Sequence, residues 1–310
     1  MIHFRPTEPG DLPGLSTLFA SRFGHPWTLE EWQWKYRHLP GEGRSWVAVR
    51  GDGGVVAHAG AIRLPARWQD GEGGVWQLTD WVGSTGGGGL RAALVGLGQE
   101  LLAELPRPGE APWVFGFPSE RHFRLGEHTF GYLPLDRFPV LTGEIADAAE
   151  AAAGAPEVEV AISDHCEGSW TEELWRGLGV LGVVRSAAFL NWRYWSRPGR
   201  YYRFYRVRGA GGEGLAVFAF VGAWALAAET WLPAGRGLDG ALPAIAADLA
   251  ATGLSRWRFW PHPHLGGEPA RLGLVPGEEV FVGCRGRVGE PDPRPHAVGF
   301  LTCQGDHDVV

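Results

Sequence analysis

Hydrophobic positions in the first half of the chain follow the periods of strands and helices in turn. Residues 45–50 and 55–64 are rich in β-branched and small apolar residues, and the Asp-Gly pair between them is a strong hairpin signal. Leucines at helical spacing follow a cap at Thr7 or Asp11, and Thr28 with Glu31 forms a capping box before a second helix. The predicted order is a strand over 2–5, two helices, and the antiparallel strands 45–50 and 55–64.

The stretch from Trp76 to Leu105 predicts a strand, a glycine turn and a helix. Its first part alternates with period 2, and leucines and alanines then recur at helical spacing from Leu90 onward. Between the two lie four consecutive glycines, Gly86 to Gly89. Glycines at a helix N-terminus expose backbone N–H groups at the positive end of the helix dipole, which favours a phosphate or pyrophosphate. A flexible surface turn is the alternative interpretation.

The glycine turn fits neither of two common nucleotide-binding motifs. No lysine follows it, as a P-loop requires, and Arg91 stands where the last glycine of GxGxxG should be. The segment instead resembles the GNAT family of acyl-CoA-dependent acyltransferases, in which a turn (Q/R)xxGx(G/A) joins the fourth strand to a helix. The positions that occupy this turn are Gly86, Gly87, Gly88, Gly89, Leu90 and Arg91; the leading Gln or Arg of the family is Gly86 here, and its final Gly or Ala is Arg91.

The resemblance implies acetyl-CoA or another acyl-CoA as co-substrate, with its pyrophosphate on the glycine turn. It also implies that the pantetheine arm lies between the fourth strand and the fifth, which is predicted at residues 113–117, and that Trp81 and Val82 belong to the binding site. Acyl transfer to an amine needs groups that accept and return protons. The candidates near the two strands are Asp80, Ser119, Glu120 and His122.

The second half repeats the order of the first. Strands predicted from 201–208 to 223–232 precede a short turn at 234–237, a helix at 238–251 and a strand at 256–260. This predicts two GNAT-like domains of α/β (α+β) class, each a mixed, mostly antiparallel sheet flanked by helices. Because the second turn has fewer glycines, we expect the second domain to be degenerate. The predicted ranges are 1–142, a linker at 143–157, and 158–310.

The net charge and the cysteine spacing argue against several functional classes. The formal net charge of −7 argues against a nucleic-acid binder, and the sequence has no run of 18 apolar residues, so we expect no membrane contact and a cytoplasmic location. Three distant cysteines give no zinc or disulfide pattern. His262 and His264 form an HxH pair, but no third ligand follows at a set spacing, so no metal is predicted.

The sequence therefore favours an N-acyltransferase that moves an acetyl or other acyl group from acyl-CoA to an amine of a small metabolite or amino sugar. The protein is expected to be a monomer or homodimer. The departures in the glycine turn keep a non-catalytic GNAT-like ligand- or partner-binding protein open as the alternative. An aminoacyl transferase of the Fem type also pairs two such folds, but the charge of −7 weakens that interpretation because tRNA calls for a basic face.

Overall fold

The chain folds into two compact units. The first comprises Met1–Asp136 and Phe281–Phe300, and the second Arg137–Val280 and Leu301–Val310. No helix within the described part of the chain is both long and apolar enough to cross a membrane. The computed structural model describes residues 1–84, 90–105, 107–150, 157–233, 238–261, 269–286, 292–297, 299–303 and 306.

Local signals set the helix ends of the first unit. The first helix ends at Gly24, whose φ of 79° suits glycine. Thr28 and Glu31 form the predicted capping box, in which each side chain accepts the backbone N–H of the other residue. The elements, in chain order, are β1 (Ile2–Pro6), α1 (Leu12–Phe23), α2 (Leu29–Tyr36), β2 (Glu42–Arg50), β3 (Val55–Trp68), β4 (Gly71–Gly83), α3 (Leu90–Ala103), β5 (Trp113–Gly116) and α4 (Glu120–Phe130).

The sheet of the first unit has the order β1-β2-β3-β4-β5, and residues 283–286 add an antiparallel strand beyond β5. All neighbours are antiparallel except β4 and β5, which are parallel because α3 carries the chain across between them. The predicted apolar face of α3 is buried on this sheet through Ala93, Leu97 and Leu101. This packing fixes the end of β4, where the candidate site lies.

The second unit repeats this plan. Its sheet includes the strand order β6-β12-β11-β10-β9-β7, in which β11 and β12 are parallel and the other neighbours are antiparallel. The elements are β6 (Leu133–Glu144, which begins in the first unit), α5 (Ile145–Glu150), β7 (Glu159–Ser163), α6 (Trp170–Gly177), β8 (Leu181–Val183), α7 (Ala187–Leu190), β9 (Tyr202–Gly209), β10 (Gly212–Val221), β11 (Trp224–Trp231), α8 (Ala241–Ala251), β12 (Arg256–Phe259), β13 (Val275–Gly286, which ends in the first unit) and β14 (Phe300–Leu301).

The core of the second unit lies between its sheet and α8. Leu242, Ile245 and Leu249 of that helix are buried against Phe218 and Trp257 of the strands. The helix therefore takes the place that α3 takes in the first unit, between the two members of the parallel pair.

The fold class expected from the sequence is confirmed: both sheets are mixed, mostly antiparallel and flanked by helices. The unit boundaries differ from the predicted ranges. The first unit ends at Asp136 and also takes residues 281–300, because residues 283–286 pair with β5. The predicted linker contributes the end of β6 and the helix α5, whose Ile145 is buried in the second core. Local periodicity gives no signal for the pairing of residues 283–286 with β5, because the two segments lie far apart in the sequence.

Candidate active site

The predicted cofactor turn is only partly visible. Gly86 to Gly89 lie outside the described residues, and the helix that follows begins at Leu90, with Arg91 exposed. Of the two strand residues assigned to the same site, Val82 is buried and Trp81 is half-buried, with its indole N–H donating to the Gly60 carbonyl at 3.3 Å. Both lie at the end of β4 that leads into the turn.

The strands β4 and β5 separate just before Asp80. Their parallel ladder covers three positions and ends with Leu78 opposite Gly116. Beyond Leu78, β4 continues to Gly83, and the described strand pairings of this part are with β3. Backbone N–H and C=O groups on the β5 side of residues 79–83 are therefore not used by that ladder. The resemblance predicts the pantetheine arm between these two strands.

Asp80 lies at an irregularity of β4. The register with β3 jumps from Thr79 opposite Gly60 to Val82 opposite His58, so two residues of β4 face one of β3. Asp80 has φ of 56° and is the one non-glycine residue with positive φ in the part of the chain that the structure describes. This β-bulge turns the Asp80 side chain toward the helix α2.

Two neighbouring residues of α2 bind the Asp80 carboxylate. The Lys35 ammonium donates to both carboxylate oxygens at 2.9 Å, and the Tyr36 hydroxyl donates to Oδ2 at 2.6 Å. Both side chains of the ion pair are nearly buried, with 6% of Lys35 and 9% of Asp80 exposed. Lys35 is the only lysine in the sequence. The strand and the helix thus join a carboxylate, an ammonium and a phenol in one cluster, which we call the Asp80 centre.

Gly60 makes room for this cluster. A Cβ atom at Gly60 would lie 1.9 Å from the Tyr36 hydroxyl oxygen, which is far closer than atoms approach. The tyrosine therefore passes directly over β3 at the one residue that lacks a side chain. Lys35, Tyr36 and His58, whose Nδ1 lies 2.8 Å from the Asp80 carbonyl oxygen, were not among the predicted site residues.

The remaining predicted residues have contacts of their own at the start of α4. Ser119 caps α4 by accepting the backbone N–H of His122 at 3.4 Å, and its hydroxyl lies 3.2 Å from His122 Nδ1. Glu120 is exposed and pairs with Arg124. Partial enclosure, with the nearby charges of Arg121 and Arg22, lowers the pKa of His122, although much of its ring is in contact with water. No hydrogen bond that the structure describes joins these three residues to Asp80.

The second unit carries a matching carboxylate. The sequence Trp-Lys-Tyr-x₃-Pro-Gly at 34–41 recurs as Trp-Arg-Tyr-x₃-Pro-Gly at 192–199, with identical spacing. The Tyr194 hydroxyl donates to Glu229 at 2.6 Å, as Tyr36 does to Asp80. Glu229 also lies beside a register jump, in the strand that precedes the α8 crossover. This repeat is a sequence signal that marks Tyr36 and Tyr194 as matching residues.

The surroundings of Glu229 differ from those of Asp80. Arg185 donates to Glu229 at 3.0 Å and to Asp306 at 2.8 and 2.9 Å, and the Trp231 indole donates to Glu229 at 2.6 Å. Arg185, Glu229 and Asp306 are at most 2% exposed. Burial alone would lower the pKa of Arg185, but the charges of Asp306 and Glu229 raise it well above its usual value. The second carboxylate is thus paired with Arg185 and enclosed by its own unit.

The other polar candidates of the second half show no assembled site. His262 and His264 lie outside the described residues. Burial raises the pKa of the Cys166 thiol, which lies 3.7 Å from the Thr171 hydroxyl, so it is not an activated nucleophile. Over the ranges that the structure describes, no three His, Cys, Asp or Glu side chains are grouped to hold a metal ion.

Comparison with solved structures identifies the fold. A GCN5-related N-acetyltransferase from Anabaena variabilis matches at a TM-score of 0.66 and 12% identity, covering 92% of this chain and 72% of that one. A conserved protein from Enterococcus faecalis, described as a probable N-acyltransferase, matches at 0.63 and 13%, covering 93% and 73%. A glucosamine N-acetyltransferase region in a fungal β-N-acetylglucosaminidase matches at 0.60 and 12%, covering 92% and 38%. No family model and no curated protein matches the sequence. The chain therefore has the fold of GNAT acetyltransferases.

Proposed function

We propose that the protein is an acyl-CoA-dependent N-acyltransferase and that the first unit carries out the transfer at the Asp80 centre. The observation that carries this proposal is the convergence of Asp80, Lys35 and Tyr36 where the β4–β5 ladder ends. The glycine turn follows Asp80 within a few residues. In this proposal the turn that binds the ligand follows closely in sequence on the strand that carries Asp80, and α2 brings Lys35 and Tyr36 to that carboxylate.

The described residues fit an acyl-CoA. Strand β4 beyond Leu78 has backbone groups on the side that β5 has left, and these suit the amides of an extended pantetheine arm. The glycines that follow suit a pyrophosphate at the start of α3. When bound, the acyl-CoA supplies an activated thioester. The protein's own task is then to orient the acceptor amine and to move protons.

Asp80 and Lys35 divide this task in our proposal. The acceptor enters as an ammonium ion and loses two protons, of which one ends on the leaving sulfur and the other in solvent. Asp80 takes a proton from the acceptor nitrogen, and the Lys35 ammonium returns one to the sulfur. Because Lys35 Nζ lies 2.9 Å from both Asp80 oxygens, a proton transfer between them restores the starting charges. Tyr36 holds the carboxylate in place.

The acceptor class that we propose is a small amine, with amino sugars as the first to test. The fungal region that shares the fold is described as a glucosamine N-acetyltransferase. We further propose that the second unit is a degenerate copy without transfer activity. Its carboxylate, Glu229, already has Arg185, Tyr194 and Trp231 as hydrogen-bond donors, and it is 1% exposed.

One observation favours a non-catalytic binding protein as the second candidate. Lys35 and Tyr36 of the same chain already donate to the Asp80 carboxylate, so an acceptor must compete for its oxygens. The departure at Gly86 also removes the Gln or Arg side chain that the GNAT turn usually presents, and Arg91 adds a side chain where the family has Gly or Ala. Such a protein would bind acyl-CoA or a partner without releasing thiol.

Titration calorimetry with acetyl-CoA and a thiol-release assay with glucosamine and a panel of primary amines test both candidates. Gly88→Asp should abolish binding, because it adds a side chain and a negative charge where the pyrophosphate is expected. Asp80→Asn should keep binding but lower turnover by about 100-fold or more. Glu229→Gln should not change either value.

The outcomes separate the alternatives. Binding without thiol release would favour the non-catalytic protein. Equal binding by the wild type and the Gly88→Asp variant would remove the glycine turn from the site. No binding heat at all would refute acyl-CoA as the ligand.

A further inference from the structure

The bulge at Asp80 needs support from the rest of the unit. A non-glycine residue in the left-handed region is energetically unfavourable, although Asp tolerates it better than most residues. Asp80 has φ of 56°, and the ladder between β3 and β4 is broken beside it. The structure must therefore supply contacts that stabilise this conformation over a regular strand.

His58 supplies one of these contacts. Its Nδ1 lies 2.8 Å from the Asp80 carbonyl oxygen, and its side chain has no exposed surface. A carbonyl oxygen only accepts hydrogen bonds, so Nδ1 must carry the proton. This hydrogen bond holds the Asp80 carbonyl toward β3. The ladder between β3 and β4 cannot fix this orientation, because it is interrupted at the bulge.

The other ring nitrogen is bound by Ser45. Its hydroxyl lies 2.8 Å from His58 Nε2, and because the neutral ring has its proton on Nδ1, the serine donates here. Ser45 in turn accepts the Trp32 indole N–H at 3.1 Å and is joined to the Thr7 hydroxyl at 2.7 Å. Strand β2, helix α2 and the loop after β1 thus fix the tautomer of one histidine.

Aromatic rings enclose His58. Phe19, Trp27 and Tyr36 meet its ring edge-on, with centroid separations of 5.8, 5.1 and 6.1 Å. Burial lowers the pKa of His58; the Asp80 charge opposes this effect and the Lys35 charge adds to it. The ring therefore stays neutral and keeps its hydrogen bond to Asp80 at neutral pH.

We propose that His58 is a positioning residue: it holds the Asp80 carbonyl and with it the left-handed bulge that directs the carboxylate to Lys35 and Tyr36. Its effect on the geometry stands by itself, whereas its effect on turnover rests on the function proposed above. His58 does not contact the acyl group or the acceptor in this account. It acts through the backbone of Asp80.

Two substitutions separate the roles of the ring nitrogens. In His58→Asn the amide nitrogen can take the place of Nδ1 and donate to Asp80, whereas in His58→Gln the amide lies near the place of Nε2 and the donor at the δ position is lost. Crystal structures of the Asn variant should keep the positive φ of Asp80 and the Tyr36 hydrogen bond. Those of the Gln variant should show a negative φ and a broken Tyr36 contact.

Kinetics with acetyl-CoA and the best amine of the panel give a second measurement. We expect His58→Gln to lower kcat by about 100-fold, since a displacement near 1 Å has effects of that size, with KM for acetyl-CoA changed less than about twofold. His58→Asn should stay within about tenfold of the wild type in kcat. The pH profile of the Asn variant should match that of the wild type because the histidine does not titrate in the working range.

A Gln variant whose Asp80 geometry is unchanged would overturn the proposal, whatever its activity. If the variant does not fold, nitrogen NMR of the wild type decides instead. His58 should show the neutral Nδ1–H tautomer from pH 6 to 8, and titration in that range or the Nε2–H tautomer would refute the assignment. A wild type without turnover would refute the proposed function but would leave these structural measurements to judge His58.

Discussion

Asp80→Asn tests the central ion pair of the first unit by removing its negative charge with little change of shape. Asn tolerates the left-handed conformation about as well as Asp, so the bulge itself should persist. The variant leaves the Lys35 ammonium, 6% exposed, without its carboxylate. Breaking a buried pair in this way costs about 3–5 kcal/mol. In a unit of this size, each kcal/mol of lost stability lowers the melting temperature by about 2–4 °C, so we expect a decrease of roughly 6–20 °C.

Urea and thermal unfolding, followed by tryptophan fluorescence, measure this effect. Arg124→Gln is the matched control, because it breaks an ion pair of the same unit whose side chains are 70% and 58% exposed. It should cost less than about 0.5 kcal/mol. The double variant Lys35→Met with Asp80→Asn removes both charges and should be more stable than Asp80→Asn alone. If Asp80→Asn melts within about 2 °C of the control, the pair is not the buried, mutually dependent contact inferred here.

Three further predictions concern single residues. Because the pKa of His58 is lowered in the folded state, the unfolded chain binds a proton first as pH falls, so stability present above about pH 6.5 is lost below it. In His58→Asn the free energy of unfolding, measured from pH 4 to 8, should depend less steeply on pH, by up to about 1.4 kcal/mol per pH unit. The control His3→Asn, at an exposed histidine, should keep the wild-type slope. Glu229→Gln should destabilise the second unit by about 3–5 kcal/mol in urea and leave thiol release unchanged; lost turnover in the folded variant would place chemistry there. Lys35→Arg should keep acetyl-CoA binding in calorimetry but lower kcat by about 100-fold, and unchanged kcat would exclude proton transfer by the ammonium.

Most of the fold follows from local patterns. Alternation, the Asp-Gly turn and the capping box at Thr28 gave the first strands and helices because each depends on residues close in sequence. The strand at residues 283–286 beside β5 was not predicted, because it joins segments far apart in the chain. Neither periodicity nor turn chemistry carries information about such a partner.

The candidate site could be predicted only in part for the same reason. Asp80 was found because it precedes a conspicuous glycine run. Lys35 and Tyr36 fall in the predicted second helix, and nothing local shows that their side chains reach β4 across Gly60. Ser119 was chosen for its place after β5, and the structure accounts for it as a helix cap.

The two carboxylate centres share a fold, but the side chains around them differ in chemistry. Of 28 lysines and arginines in the chain, the one lysine, Lys35, contacts Asp80, and the repeat has Arg193 at the matching position. A general preference for arginine explains the other 27 positions but not this exception. An ammonium can give up a proton and regain it, whereas a guanidinium stays charged. At Glu229 the cation that donates a hydrogen bond is Arg185, whose guanidinium supplies positive charge but does not exchange protons. Retention of lysine at only one centre is thus the arrangement expected if protons move at Asp80 and the charges at Glu229 only hold the second unit together.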